Sequence, residues 1–323
     1  MPCKDKLRGP RDSHVQRDSG LPRVSVIVRA YNSERYIGKA LDSVLAQSYA
    51  GPIDIIVLYD RGTADGTARV LGAYGDVKAP NRSVAVVEHE HTTPFRALQI
   101  GLERALGGPS DYVGFLDSDN VMDGAYLERA IEAASRSGAT FLFSELELID
   151  EEGRPLGRAL VEVPREDPYD AARLIRGNWV DVNGIVIERG CAAEIAGGLA
   201  RLSHRYFDWI HEDWLMAMLA FDACRPLFID HVRNYYRRHG GNLTYGAGGD
   251  RYKVMLKLER DLKTLVAYDA LVEMDARRRR AWEISALRRQ LALLRILEGR
   301  GGWTMRFVSL VSRAARKAAE LGV

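Results

Sequence analysis

Alternating apolar and amphipathic stretches in the first 120 residues predict buried strands flanked by helices. Short apolar runs bounded by polar residues are typical of buried parallel strands, and they cover residues 23–28, 53–58 and 112–116; a further strand is predicted over 83–88. Between them, apolar residues recur at helical spacing over about 34–48 and 94–106. Strands that alternate with helices predict an α/β fold, a doubly wound and mostly parallel sheet joined by right-handed crossovers.

The pattern changes after residue 120. A helix predicted over 124–137 leads to partly alternating positions at 140–149 and to another apolar stretch at 156–163, which together indicate an antiparallel hairpin. Residues 164–244 are mixed and rich in aromatic side chains, as expected of a region that shapes a substrate pocket. Beyond residue 250 the periodicity is almost wholly helical.

Two carboxylates, Asp117 and Asp119, directly follow the fourth predicted strand. Because they are two positions apart, their side chains point the same way in an extended chain. They lie at the carboxyl end of the sheet, where open α/β folds bind ligands. Two like charges at one place favour a bound cation, and a hard divalent metal carrying a phosphate meets that need. A solvated turn is the alternative when these residues are considered alone.

Composition narrows the class of protein. The formal net charge of +2 is too small to argue for a nucleic acid partner, although Arg residues concentrate near the C-terminal end. Cys3, Cys191 and Cys224 are few and widely spaced, which predicts neither a disulfide framework nor a metal knuckle and favours a reducing cytosol. No run approaches 18 apolar residues, so no transmembrane helix is predicted, and residues 1–20 lack the apolar core of a secretory signal.

Five segments carry chemistry-bearing residues in one order along the chain. They are Val24–Asn32 with Ala46–Ser48, Asp60–Thr67, Phe115–Asp119, His211–Trp214 and Tyr236–Thr244. This series resembles the family 2 glycosyltransferases of the GT-A fold. There, the matching segments are the opening strand, an acidic loop, the DxD motif, the Glu-Asp pair of the catalytic base and a Tyr-Arg-x-His tail. Each segment is weak alone, but five in order at this spacing make the resemblance specific.

The resemblance covers about residues 22–245 and implies an organisation for the chain. A flexible basic tail (1–21) would precede the nucleotide-sugar-binding half (22–122) and the acceptor-binding half (123–248) of a GT-A domain. A helical C-terminal extension (249–323) would serve packing, a dimer or a membrane-surface contact.

The activity implied by the resemblance is inverting, metal-dependent sugar transfer. A single sugar would move from a nucleotide diphosphate sugar, with a UDP-sugar favoured, to a hydroxyl of a glycan or lipid-linked acceptor in cell-surface glycan synthesis. Such chemistry needs a metal and cations at the leaving diphosphate and one carboxylate that takes the acceptor proton.

On the donor side, the resemblance implies a role for each matching residue. Tyr31 would pack near the nucleotide base, and Asp60 would accept a hydrogen bond from it. Asp119 would bind Mn²⁺ or Mg²⁺ at the diphosphate, while Asp117 would reach the ribose or the metal. The cations expected near the diphosphate are His239, Arg237 or Arg238, and Arg96.

On the acceptor side, Asp213 would be the general base, with Glu212 as its neighbour. The alternative is that these two acids only charge the first turn of a helix. Residues expected to contact the acceptor are Trp179, Asn183 and Trp214.

Departures from the family pattern concern the base-binding end. Arg29 stands where family members have Pro or Thr. Tyr59 replaces the first acid of the acidic loop, and Arg61 is inserted before Gly62. These differences leave the identity of the nucleotide base open.

Two further questions stay open at the level of sequence. Apolar residues from Trp303 to Leu321 recur at helical spacing beside basic ones. This pattern favours a helix packed on the domain or on a second subunit, and the alternative is an in-plane membrane helix near a lipid-linked acceptor. A catalytically silent sugar-nucleotide or glycan-binding module is the alternative function. No nucleic acid partner is expected, and we expect a cytoplasmic protein, free or peripheral at the inner face of the membrane.

Overall fold

The computed structural model describes residues 20–75, 77, 81–242 and 251–297. The strands in these ranges are β1 (Val24–Ala30), β2 (Ile53–Asp60), β3 (Arg82–His89), β4 (Tyr112–Asp117), β5 (Phe141–Ile149), β6 (Pro155–Ala159), β7 (Ile185–Glu188) and β8 (Pro226–Arg237). The helices are α1 (Ile37–Leu45), α2 (Thr67–Gly72), α3 (Pro94–Gly107), α4 (Tyr126–Ser137), α5 (Ala171–Arg176), α6 (Arg189–Ala200), α7 (Glu212–Ala223), α8 (Arg251–Leu271) and α9 (Ala276–Leu297). The amphipathic segment from Trp303 to Leu321 lies outside the described residues, as does the basic tail over residues 1–19.

The strands form one mixed sheet in the order β3-β2-β1-β4-β7-β5-β6, with β8 alongside β5. β1 pairs in parallel with β2 and β4, and β2 pairs in parallel with β3. β7 is antiparallel to β4 and β5, and β6 is antiparallel to β5. The predicted α/β fold with C-terminal helices is confirmed. Its topology places the carboxyl ends of β1, β2 and β4 side by side at one edge.

Strand β8 has no counterpart among the elements predicted from the sequence. It runs parallel to β5, but charged side chains at Asp230, His231 and Arg233 interrupt its apolar pattern. Arg233 pairs at 2.8 Å with Glu145, whose side chain is almost fully buried. The charge of Arg233 is tolerated in the strand because it compensates the buried carboxylate of Glu145. The sequence around Arg233 does not reveal this partner.

Core packing occurs on both faces of the sheet. Along β1, Val26 and Val28 belong to the cluster that includes α1 and α4, whereas Ile27 belongs to the cluster that includes α3. This alternation is the one expected for a central strand. Leu265 of α8 and Leu293 of α9 are fully buried in the same cluster as Ile27. The described part of the helical extension is therefore packed into the core of the domain.

None of the helices within the described ranges combines the length and the apolar character needed to cross a membrane.

The fold contains a disulfide that was not expected from the sequence. Cys191 of α6 and Cys224, directly after α7, form a disulfide. The expectation that the cysteines form no disulfide is wrong for this pair, and the argument from cysteines for a reducing compartment loses its basis. The two residues are 33 positions apart, so only the packing of α6 against α7 brings them together.

Removing this disulfide should lower the free energy of unfolding. We expect Cys191→Ala with Cys224→Ala to lower it by about 2–4 kcal/mol, because the cross-link restricts the unfolded chain. Chemical denaturation of the oxidised proteins measures the change. Cys3→Ala is the matched control: it should retain wild-type stability, and dithiothreitol should destabilise it but not the double variant. Equal stability of the oxidised double variant and the wild type would contradict the cross-link.

Candidate active site

The carboxyl ends of β1, β2 and β4 open into a cavity of about 1270 Å³. The N-terminus of α7, the segment 177–182 and parts of α8 and α9 complete its walls. This is the sheet edge at which open α/β folds bind ligands. The cavity brings together residues singled out from the sequence, namely Tyr31, Asp60, Asp117, Asp119, Trp179, Glu212, Asp213, Trp214 and His239.

The end of the cavity predicted to bind the base contains Asp60 and Tyr31. Asp60 is almost fully buried and accepts hydrogen bonds from the backbone N–H groups of Gly62 (2.7 Å) and Thr92 (3.2 Å). Nδ1 of His91 lies 3.0 Å from the same carboxylate. Burial opposes ionisation, but these hydrogen bonds prevail and hold the pKa of Asp60 below its usual value. Tyr31 is half exposed, with its ring centroid 5.2 Å from that of His91. The ring of Tyr31 can stack on a nucleotide base, and the ionised carboxylate of Asp60 can accept hydrogen bonds from the N–H groups of that base.

Arg29 links the donor and acceptor sides of the cavity. Its Nε and Nη2 donate to Oδ1 of Asp117 at 2.9 and 2.6 Å, and its Nη1 donates to Oε1 of Glu212 at 2.5 Å. Asp117 ends β4 and Glu212 begins α7, so one guanidinium joins two elements. Although burial would lower it, the two carboxylates raise the pKa of Arg29 above its ordinary value. The resemblance gave Arg29 no role, and its departure from the family pattern was the available signal.

Asp117 is fully engaged by protein groups. Besides the two bonds from Arg29 to Oδ1, its Oδ2 accepts from Nδ2 of Asn183 at 3.1 Å, and its backbone N–H donates to Oδ1 of Asn183 at 2.6 Å. A carboxylate whose charge and both oxygens are already compensated is a poor metal ligand. Asp117 thus joins β4 to β1, to the start of α7 and to Asn183.

Asp119 and His239 form the second acidic position of the cavity. Nδ1 of His239 accepts the backbone N–H of Gly241 at 3.1 Å, so the proton of the neutral ring is placed on Nε2. Nε2 then donates to Oδ2 of Asp119 at 3.0 Å. His239 is fixed further by the ring of Tyr36, whose centroid lies 5.0 Å away. Among the described residues, His239 is the only side chain bonded to the carboxylate of Asp119, through Oδ2, so Oδ1 is available.

The cavity offers few protein ligands for a divalent metal. Within the described residues, no group of three or more His, Cys, Asp and Glu side chains is placed to hold an ion by itself. Mg²⁺ and similar hard ions at phosphate sites commonly take one or two carboxylates, with substrate phosphate and water as the remaining ligands. Asp119, partly exposed in the cavity, fits that mode of binding.

The two acids at the start of α7 differ in their surroundings. Glu212 is paired with Arg29 at 2.5 Å. Asp213 has neutral partners instead: Nδ2 of Asn178 donates to Oδ2 at 3.0 Å, and the backbone N–H of Trp214 donates to Oδ1 at 2.7 Å. Burial, followed by repulsion from Glu212, raises the pKa of Asp213 to about 7. Asp213 can therefore exchange a proton near neutrality.

Asp181 is a further cavity carboxylate that the sequence did not single out. Burial raises its pKa to about 6, although hydrogen bonds from the backbone N–H and Nδ2 of Asn183 oppose that effect. Its position two residues before Asn183, within the stretch proposed to contact the acceptor, was the available signal. Asn183 makes four hydrogen bonds with Asp117 and Asp181, and it therefore orients these two carboxylates.

The predicted phosphate-facing arginines are used elsewhere. Arg96 donates to Oδ1 of Asp208 at 2.8 Å and to backbone oxygens of the 203–204 loop. Arg237 is 1% exposed and donates to the backbone oxygens of Asp119, Asp150 and Glu151. Both guanidinium groups are hydrogen-bonded to loop residues. The structure therefore does not support the prediction that Arg96 and Arg237 lie beside a phosphate.

The two tryptophans proposed for the acceptor line the cavity but are almost fully buried. Nε1 of Trp214 donates to the backbone oxygen of Leu174 at 2.7 Å, and Arg289 lies 5.0 Å over its ring. Trp214 therefore shapes the cavity wall mainly by packing.

Breaking the pairs of Arg29 should be costly. We expect Arg29→Gln to lower the free energy of unfolding by about 3–5 kcal/mol, because Asp117 and Glu212 lose their shared partner in a poorly solvated site. Urea denaturation measures the loss.

Arg23→Gln is the matched control, because Arg23 precedes the same strand and pairs with Asp54 near the surface. It should cost at most about 1 kcal/mol. Equal losses of unfolding free energy in the two variants would argue against the bridge.

Comparison with known proteins places the chain in a family. The family model for glycosyl transferase family 2 matches residues 25–185. A putative teichuronic acid biosynthesis glycosyltransferase, TuaG of Bacillus subtilis, is 34% identical over 174 residues, which are 54% of this chain and 65% of that protein. The matched chain thus spans somewhat less than two thirds of that relative.

Solved structures share the fold. S. aureus TarS 1–349, in complex with UDP-GlcNAc, superposes with a TM-score of 0.52 at 15% identity, covering 92% of this chain and 89% of that chain. The mannosyltransferase PcManGT of Pyrobaculum calidifontis, in complex with GDP-Man and Mn²⁺, gives a TM-score of 0.57 at 15% identity, covering 94% and 86%. The segments that carry the resemblance, the GT-A architecture and the match to the family model agree, and the chain belongs to the family 2 glycosyltransferases.

Proposed function

We propose that this protein transfers a single sugar from a nucleotide diphosphate sugar, with a UDP-sugar favoured, to a hydroxyl of a glycan or lipid-linked acceptor in glycan synthesis. The transfer inverts the anomeric carbon. Asp213 is the general base, Asp119 binds a divalent metal, Mn²⁺ or Mg²⁺, and Asp60 and Tyr31 receive the base of the donor.

The observation that supports this proposal most is that the acids lining the cavity have different hydrogen-bond partners. Asp117 and Glu212 share Arg29, and Asp119 is oriented by His239, while Asp213 has neutral partners and a pKa of about 7. A general base works best when its pKa is close to the working pH. Asp213 has the higher of the two raised carboxylate pKa values in the cavity, and Asp119 has one oxygen without a bond to another described side chain, which together match a single displacement.

In the reaction, the acceptor hydroxyl loses its proton to Asp213 while its oxygen bonds to the anomeric carbon of the donor sugar. The bond from that carbon to the diphosphate oxygen breaks, and its electron pair leaves with the nucleoside diphosphate. Asn178 holds Oδ2 of Asp213 in place for the proton. A divalent metal bound at Asp119 would supply positive charge to the leaving diphosphate.

Two observations bear on the donor base. Asp60 offers an ionised acceptor, and both uracil and guanine carry N–H groups that it can bind. The related folds support the same class of donor, because TarS was solved with UDP-GlcNAc and PcManGT with GDP-Man. UDP remains the favoured nucleotide of this proposal.

The pH dependence of the reaction should report Asp213. Because the base must be ionised, kcat/KM for donor hydrolysis should rise roughly tenfold per pH unit below the pKa of Asp213, about 7, and level off above it. Asp213→Asn should lower the rate roughly 10²-fold to 10⁴-fold and abolish this rise of kcat/KM with pH. Asp181→Asn, which removes the other cavity carboxylate with a raised pKa, should retain the rise. If the rise disappears in Asp181→Asn instead, the base is Asp181.

The same residue gives a readout that needs no substrate. The pKa of Asp213 is raised in the folded protein, so its ionisation destabilises the fold as the pH rises from about 4 to about 7. Asp213→Asn should therefore gain stability relative to the wild type across that range. A difference in unfolding free energy that stays constant with pH would contradict the raised pKa.

Donor and metal binding should both depend on Asp119. We expect one of the UDP-, GDP- or dTDP-sugars, with UDP favoured, to raise the thermal midpoint in the presence of Mn²⁺, and Asp119→Ala to abolish the metal-dependent part. Asp123→Ala, which removes an acid four positions along the chain, is the control and should preserve it. No shift with any donor would refute the donor site and favour a catalytically silent module.

A further inference from the structure

One wall of the cavity carries cations to which the proposed sugar transfer gives no role. Lys257 and Arg260 of α8 and Arg289 of α9 line this wall together with Trp209. The donor-binding residues, in contrast, are at the carboxyl ends of β1, β2 and β4. The cationic wall therefore belongs to the part of the cavity built by the helical extension and the segment before α7.

The charges of this wall do not balance. Asp261 of α8 is nearly buried, and Nζ of Lys257 lies 3.2 Å from both of its carboxylate oxygens. Nε of Arg289 donates to the same carboxylate at 2.8 Å, and Nε2 of His211 lies 3.0 Å from it. Together with Arg260, this part of the wall has three basic side chains and the one carboxylate of Asp261, in addition to His211.

Arg260 is the cation that this arrangement leaves without a countercharge. Its guanidinium carbon lies 4.9 Å from the ring centroid of Trp209, and within the described part of the chain no carboxylate pairs with it. Trp209 is 45% exposed, unusually open for an indole in a cavity wall. A stacked guanidinium presents its remaining N–H groups in a rigid fork, which suits a phosphate or a carboxylate.

The wall is fixed next to the proposed base. The backbone N–H of His211 donates to Oγ1 of Thr264 on α8 at 2.9 Å, and His211 immediately precedes Glu212 and Asp213. Arg289 is held in turn by Asp261 and by Oγ of Ser285. An acceptor bound through an anionic group at this wall would therefore have a hydroxyl within a short reach of Asp213.

We propose that Lys257, Arg260 and Trp209 form an acceptor subsite for an anionic glycan, one that carries a phosphate or a carboxylate close to the attacked hydroxyl. Trp209 provides the apolar face for a sugar ring, and the two cations bind the anionic group. This inference rests on the proposed function, because it names the class of acceptor for the same site.

The test compares probes that share one ring and differ in charge. Methyl α-D-glucopyranoside, its 6-phosphate and the corresponding methyl glucuronide are titrated by calorimetry into the full chain at fixed ionic strength. Saturating UDP and Mn²⁺ are present to occupy the donor site. We expect at least one anionic probe to bind on the order of tenfold tighter than the neutral glycoside, since hydrogen bonds between charged groups are the stronger ones. The tighter of the two anionic probes identifies phosphate or carboxylate as the recognised group.

Variants locate the effect. Lys257→Gln and Arg260→Gln should each weaken the preferred anionic probe severalfold and leave the neutral probe unchanged. Arg279→Gln is the matched control, because Arg279 stacks on Trp282 at 5.5 Å but is not part of the cavity wall. It should bind like the wild type. Lys257 is 55% exposed, so its variant keeps the test valid even if Arg260→Gln does not fold.

Equal affinity for the three probes would overturn the inference. So would an anionic preference that survives in both cavity variants, or that falls equally in Arg279→Gln. Failure of the proposed function is visible separately, because nucleotide with Mn²⁺ would then give no thermal shift in the same wild-type sample, whatever the probes do.

Discussion

Mutual repulsion among carboxylates is the constraint on which the rest of the site depends. Five of the acids that line the cavity are Asp117, Asp119, Asp181, Glu212 and Asp213. Like charges at short range in a poorly solvated site cannot all remain ionised unless each has its own compensation. Arg29 compensates two of them from strand β1, and His239 bonds to Asp119. Within the described residues, Asp181 and Asp213 receive hydrogen bonds from amide and backbone groups only, and burial raises the pKa of both, with repulsion from Glu212 adding to the shift of Asp213.

This distribution of partners connects the fold to the chemistry. β1 lies between β2 and β4 in the sheet, so a long cation near its carboxyl end can reach both the end of β4 and the start of α7. The bridge links the end of β4 to the start of α7 without involving the side chain of Asp213. The helices α8 and α9 add the last wall, because they share the core with α3 and α7 and place cations beside the start of α7. The catalytic role of Asp213 and the recognition of an anionic acceptor would thus depend on the same packing.

Much of the fold could be predicted because it follows from local patterns. The apolar runs of β1 to β4 are short and clearly bounded, and the two acids that end β4 are adjacent in sequence to a buried strand. The features that were missed depend on contacts between distant residues. Arg29 and Glu212 are 183 positions apart, and Cys191 and Cys224 are 33 apart. Successive side chains of a strand point to opposite faces of the sheet. In β8, Tyr236 therefore lines the cavity, while its neighbour Arg237 is buried and donates to backbone oxygens.

The measurement that tests the central claim most directly is the configuration of the sugar released when the enzyme hydrolyses an α-linked nucleotide sugar. Proton NMR recorded before mutarotation distinguishes the two anomers. If Asp213 activates the attacking oxygen in a single displacement, the first product is the β-anomer, and Asp213→Asn releases almost none of it. Initial release of the α-anomer by the wild type would mean two displacements or a front-side attack, and the assignment of Asp213 as the base of an inverting transferase would be wrong.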